Sequence, residues 1–291
     1  MTKSIYGIHD YGAWVGMLEQ ENVSGWAVTT HALGHNPNDN SGEIFDTKGD
    51  RIGVIARLNC GYGSAGTIPL PRHYRDFAQR CANFVANSKG VSYVIIGNEI
   101  QMPWDFPEGQ PISLANYMEC YLLCYEAIKR VSPNIQVGPA PVATWNDGLK
   151  YSGNERGDWV KLQSDIWEAC GDKIDALYIH AYSHGYDPSL IGSTQTMDAP
   201  FQDRYFHFQV YSQFMSAVPQ SLRTLPVFIT ETNGDGPWTG HNSGWVQAAY
   251  AEINRWNQIP GNQQIWGAAL FRWAPHDQKW DISTKQGSID D

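Results

Sequence analysis

The chain has 291 residues, 42% of them hydrophobic and only 17% charged, which describes a globular protein with a large core and excludes a disordered one. Its formal net charge of −10 argues against nucleic acid and anionic membranes as partners and suits a neutral substrate. The five cysteines are odd in number and form no CxxC pair, so neither a full disulfide framework nor a zinc knuckle is indicated.

In chain order, Ser4–Ile8 reads as a short strand with a polar tip, His9-Asp10-Tyr11-Gly12. Trp14–Glu21 is a short helix, and Gly25–Thr30 a second strand ending in Thr29, Thr30 and His31. An Asn-, Asp-, Gly- and Pro-rich loop follows, then a third strand, Arg51–Leu58, with Arg57 near its tip. Arg72–Ser88 repeats apolar residues at three-to-four spacing, the period of an amphipathic helix. Val94-Ile95-Ile96 is a continuous apolar run that fits a strand buried on both faces, broken abruptly by Gly97-Asn98-Glu99. Ser113 is the expected N-cap of a long helix, Leu114–Arg130, on which Cys120 and Cys124 share a core-facing side. Further strands are expected at Ile135–Val142, Ile174–His180, Leu225–Thr230 and Ile265–Phe271, and further helices at Asp158–Cys170, Tyr205–Ala217 and Val246–Asn257.

Eight strands, most followed by a helix, predict an α/β fold, a (β/α)8 TIM barrel formed by residues 1–291 as one domain. No GxGxxG follows the first strand, which removes support from a dinucleotide-binding sheet. There is no apolar run of about 18 residues and no leader at the N-terminus; the compartment is left open, and Asn22-Val23-Ser24 is a glycosylation sequon only in a secretory route.

Two carboxylates stand at strand tips, Glu99 after the fourth and Glu231 after the seventh. In a closed ring these strands face each other across the mouth, and glycosidic cleavage needs such a pair, one acid for the leaving oxygen and one carboxylate to attack or to activate water. Asn98 is placed to hold a sugar hydroxyl, Arg57 to keep the nucleophile ionised, Tyr182 to donate to it, and His180 to orient the acid or bind a hydroxyl. Trp273 offers a platform for the sugar before the cut, and His31 joins the candidate sugar contacts. Trp104, Trp145 and Trp238 sit in loops on the same face, where a row of aromatic faces suits several sugar units; each also fits as a loop anchor.

With these residues in place, the chain resembles clan A of the glycoside hydrolases. The resemblance rests on Gly97-Asn98-Glu99 at the fourth strand, Ile229-Thr230-Glu231-Thr232-Asn233 at the seventh, His180-Ala181-Tyr182 at the sixth, Arg57 on an early strand and Trp273 on the eighth. It covers nearly the whole chain by motif order and specifies no family within the clan. It implies retention through a covalent intermediate, with Glu99 as acid/base and Glu231 as nucleophile. Retention requires carboxyl groups about 5–5.5 Å apart. The expected partner is a neutral β-linked oligo- or polysaccharide, with no cofactor and no metal. Two rivals remain: a catalytically silent sugar-binding barrel, and a metal-dependent hydrolase using His9, Asp10, His31 and His180, which lacks the His-x-His of such enzymes on its first strand.

Overall fold

The computed structural model describes residues 4–277 and 279–291. Eight strands are present: β1 (Tyr6–His9), β2 (Gly25–Ala32), β3 (Ile52–Asn59), β4 (Val91–Ile96), β5 (Gln136–Pro139), β6 (Leu177–His180), β7 (Val227–Thr232) and β8 (Ile265–Leu270). They form one sheet in the order β5-β4-β3-β2-β1-β8-β7-β6, with parallel ladders throughout the registered pairs. The helices are α1 (Trp14–Gln20), α2 (Tyr74–Asn87), α3 (Leu114–Val131), α4 (Trp159–Cys170), α5 (Val210–Ala217), α6 (Trp245–Gln258) and α7 (Gln286–Ile289). This alternation is that of a (β/α)8 fold. Two compact units make up the chain, Thr29–Tyr178 and Met1–Val28 with Ile179–Asp291.

Within 29–178, β4 pairs with β3 on one side and β5 on the other, so Val94, Ile95 and Ile96 are wholly buried. This is why the sequence shows a continuous apolar run there and not an alternation. α2 and α3 pack together through buried faces that include Phe77, Cys81 and Phe84 on one and Tyr117, Tyr121 and Cys124 on the other. α3 starts where expected, because the Ser113 side chain accepts a hydrogen bond from Asn116 N at 3.1 Å, and it carries Lys129 and Arg130 in its last turn. Asp158 caps α4 in the same way from Val160 N and Lys161 N. All five cysteines are free and buried, and burial pushes the Cys60 thiol up to about 12 and those of Cys81 and Cys120 well up. They serve as small hydrophobic residues.

Within 4–28 and 179–291, β1 lies between β2 and β8, and β8 pairs with β7. Gly7 allows this approach, since a Cβ there would lie 2.9 Å from Trp26 O. Trp26 meets Phe228 edge to face at 4.7 Å, and buried Trp245 donates its indole N–H to Ser183 Oγ at 2.7 Å.

Two expectations shift. The helix expected over Tyr205–Ala217 starts only at Val210, because Tyr205 forms an antiparallel bridge with Thr196 and Phe206 N donates to Gln195 O. Those backbone groups are committed before a helix can claim them. β7 runs on to Thr232 where the sequence suggested Thr230, and β8 ends at Leu270. The extension carries Glu231 inside the ladder, where its carbonyl accepts from Ala181 N at 3.2 Å. β2 is followed by a long loop with no α-helix, and α7, after β8, is only four residues long.

One hydroxyl bridges two strands of the 29–178 unit. Tyr117 Oη donates to Ile96 O at 2.9 Å and accepts from Ala140 N at 2.5 Å, all buried. Tyr117→Phe leaves both backbone groups without that partner, and is expected to cost about 1–3 kcal/mol, read from the urea midpoint at unchanged m.

Candidate active site

The ends of the sixth and seventh strands build one candidate group within 4–28 and 179–291. Glu231 is only 6% exposed. Its Oε2 accepts a hydrogen bond from Tyr182 Oη at 2.8 Å. Its Oε1 faces two wholly buried imidazoles, with His9 Nε2 and His180 Nε2 each at 3.8 Å. His180 and Tyr182 reach the same carboxylate because they are two residues apart at the end of β6, and period-two alternation sends both to one face. Trp273, 8% exposed, is placed beside this group from the end of β8, where its backbone N donates to His9 O at 2.8 Å and its ring covers Gly12.

The ends of the third and fourth strands build a second candidate group, within 29–178. Arg57 is 5% exposed; its Nε donates to Thr30 Oγ1 at 2.9 Å and its Nη1 to Asn98 Oδ1 at 2.8 Å. Gly97 at φ +78° lets the backbone turn out of β4. Asn98 N then donates to Thr67 Oγ1 at 2.6 Å and Glu99 N to Pro141 O at 2.9 Å. Glu99 itself sits at φ +39°, a region costly for a residue with a Cβ. Its position is therefore set by backbone hydrogen bonds on either side and by the Arg57–Asn98 clamp.

The remaining candidates fall apart into different environments. His31 lies tilted against Phe84 of α2 at 4.7 Å and near Phe45, with its Nε2 at 2.9 Å from Thr29 Oγ1. It is on the opposite face of β2 from Thr30, which holds Arg57, so strand alternation removes it from the Arg57 group. Trp238 is 3% exposed, packs on Tyr186 and Trp245, and donates its indole N–H to Phe271 O at 2.7 Å. That is the loop-anchor alternative, with neither ring face left for a sugar. Burial likewise pushes the phenol of Tyr186 up while its Oη donates to Gly236 O. Trp104 is 64% exposed and Trp145 half-buried at φ +58°.

Each unit also carries an open cleft. One of about 590 Å³ is lined by Asp10, Arg272, Trp273, Pro275, His276 and Asp277. Another of about 580 Å³ holds the stacked rings of His35 and His73, 4.0 Å apart. The sequence reading left His9 and Asp10 with the metal-type alternative and passed over Thr30, Thr67 and Arg272. Only the polar strand tip His9-Asp10 carried a signal; Thr30 and Thr67 act by hydrogen bonds, and Arg272 by an ion pair, between segments distant in sequence. Among the described residues, no helix is long and apolar enough to cross a membrane.

Neither a protein-family profile nor a curated protein sequence matches the chain. Solved structures do match its fold. A glucosidase from Croceicoccus marinus is similar at a TM-score of 0.62 and 13% identity, over 93% of this chain and 60% of that one. A family 39 glycoside hydrolase from the gut symbiont Bacteroides cellulosilyticus WH2 is similar at 0.57 and 14%, over 92% and 56%. CJP38, a β-1,3-glucanase and allergen of Cryptomeria japonica pollen, is similar at 0.52 and 16%, over 94% and 89%. The chain spans little more than half the length of the first two. At these identities the likeness shows the fold, and the fold is the (β/α)8 barrel expected from the strand count.

The turn that carries Glu99 has its own test. Thr67→Val keeps the shape of the side chain and removes the acceptor for Asn98 N. Hydrogen exchange at the Asn98 amide is expected to accelerate by about tenfold or more, with a loss of about 1–3 kcal/mol in urea unfolding.

Proposed function

We propose that the chain is one catalytic domain, a retaining glycoside hydrolase acting on β-linked oligo- or polysaccharides. The observation that carries this reading is the setting of Glu231. It is a buried carboxylate at the carboxyl end of a parallel strand, held by a phenol on one oxygen and flanked by two imidazoles at the other. In a (β/α)8 fold the carboxyl ends of all strands open on one mouth, and that is where chemistry is found. Support also comes from the constrained Asn98-Glu99 tip of β4 and from three fold relatives whose names describe them as a glucosidase, a glycoside hydrolase and a glucanase.

On this reading Glu99 gives its proton to the glycosidic oxygen as the leaving group departs, while Glu231 attacks the anomeric carbon. Glu99 then takes a proton from water, which displaces Glu231 and restores the starting configuration. Tyr182 orients the nucleophile through Oε2, Arg57 and Asn98 hold a sugar hydroxyl next to the reacting carbon, and His180 steadies the same carboxylate. Trp273, Trp104 and Trp145 offer ring faces to sugar units; Trp238 and His31 are left out of that set by their packing.

The test is turnover of a panel of aryl β-glycosides and β-glucan, mannan, xylan and galactan, with product anomers followed by NMR. Wild type is expected to release the β anomer first. Glu231→Ala should lose about four orders of magnitude or more in kcat while keeping its fold. Glu99→Ala should keep activity on substrates with good leaving groups and be accelerated by azide, giving the β-glycosyl azide. Sugar binding without cleavage across the whole panel, or an α anomer as first product, would overturn the proposal.

Two imidazoles facing one oxygen of Glu231 favour one second reading, metal-dependent hydrolysis. The two readings part on treatment with a chelator: the glycosidase reading expects full activity after exhaustive dialysis against EDTA, with metal content far below one per chain, and the metal reading expects activity to vanish and return with zinc. Among the aromatics, Trp104→Ala is expected to raise KM for polysaccharide by about 5–50-fold and to leave aryl monoglycoside kinetics within twofold.

A further inference from the structure

Behind Glu231 lies a line of charged and polar groups that the reaction scheme above does not use. His9, at the end of β1, is wholly buried. Its Nε2 is 3.8 Å from Glu231 Oε1, and its Nδ1 is 3.3 Å from Asp10 Oδ1. The second oxygen of Asp10 is 3.4 Å from Arg272 Nε. The order is guanidinium, carboxylate, imidazole, carboxylate, running from the β8 loop to the end of β7.

The backbone around these groups is tightly held. Asp10 N donates to Val28 O at 2.7 Å, Asp10 O accepts from the Trp14 indole at 2.9 Å, and His9 O accepts from Trp273 N at 2.8 Å. The imidazole is wedged edge-on against Phe271 at 4.9 Å. Asp10 itself sits at φ +69°, a conformation that Asn adopts as readily as Asp. Loop shape therefore explains a short polar side chain at position 10 and does not explain a carboxylate.

We propose that Asp10 is a positioning residue for Glu231, acting through His9; this rests on the reading of Glu231 as the nucleophile. A carboxylate on the Nδ1 side holds a proton on that nitrogen, fixes the plane of the ring and sets which polarity Nε2 presents to Oε1. Arg272 faces the second oxygen of Asp10 and keeps it in place. The separations of 3.3 and 3.8 Å are longer than formed hydrogen bonds, so the contact acts on the orientation of the ring and of Oε1 before attack. His180 approaches Oε1 from β6 and Tyr182 holds Oε2, so the relay refines the aim of a carboxylate already held on two sides.

The test is Asp10→Asn, which preserves size and backbone conformation and offers an amide where the carboxylate was. Three measurements are made: steady-state kinetics on the 2,4-dinitrophenyl β-glycoside turned over fastest, the rate of inactivation by the matching 2-deoxy-2-fluoro glycoside with the labelled residue identified by mass spectrometry, and nitrogen-15 NMR of the His9 ring. The expected result is a fall of about 10–100-fold in both kcat and the inactivation rate with KM within twofold, an unchanged melting temperature, and a proton on Nδ1 in wild type that is lost in the variant. Turnover within twofold of wild type, or a bare Nδ1 in the wild-type ring, would overturn the relay. A label on a residue other than Glu231 in active wild type would instead sink the nucleophile assignment, and the ring NMR would still decide whether Asp10 governs His9.

Discussion

A carboxylate that is almost wholly buried has to be met by donors, and Glu231 is the group around which this requirement shapes the chain. Taking it out of water costs several kcal/mol unless hydrogen bonds and complementary charge replace the lost hydration. Tyr182, just beyond β6, donates to Oε2, the rings of His180 from β6 and His9 from β1 face Oε1 at 3.8 Å, and the ladder of β7 with β8 holds the backbone beneath. A core would solve the same problem more cheaply with an apolar residue. So costly an arrangement is what a reactive group, and not stability, calls for.

The β4 tip solves a different problem, how to place a side chain by backbone geometry. Gly97 turns the chain, and Glu99 is held at a positive φ that no side chain prefers. The strain persists because Thr67, Pro141 and Arg57 over-determine the position from three directions. Arg57 is itself buried and spends its donors on Thr30 and Asn98, so its guanidinium is a rigid fork and not a mobile surface charge.

Strand order and most helices were legible in the sequence because they follow from local chemistry. Val94-Ile95-Ile96 reads as a doubly covered strand, Ser113 and Asp158 as caps, and Glu99 as a polar residue ending an apolar run. Distant pairings left no such mark. The bridge of Tyr205 with Thr196 shortens α5, and nothing within Tyr205–Ala217 announces it. The same holds for the partners of the candidate site. Arg57 is visible as a charge near a strand tip, but that it meets Thr30 and Asn98 follows only from the side-by-side register of β2, β3 and β4. His31 shows the reverse error. At a strand tip it looks like its neighbour Thr30, and a period of two puts it on the other face, against Phe84.

The tryptophans show how far composition carries an inference. Twelve in 291 residues suggested faces for sugar rings. Trp14, Trp26, Trp159, Trp167, Trp238 and Trp245 are all less than 5% exposed, so half of the twelve are spent on packing helices against the sheet and pinning loops. Trp238 is the instructive member, since its loop is on the expected face and its ring is buried there with its one donor already given to Phe271 O. Trp104, by contrast, is exposed on a short turn after β4, only five residues beyond Glu99. A large apolar face costs free energy when left in water, and a loop gains nothing structural from one that is 64% exposed. An open face of this kind suits the sugar contact proposed for Trp104, and a wholly enclosed one serves packing. Placement, and not abundance, therefore separates the aromatic residues with an open face from those that hold the barrel together.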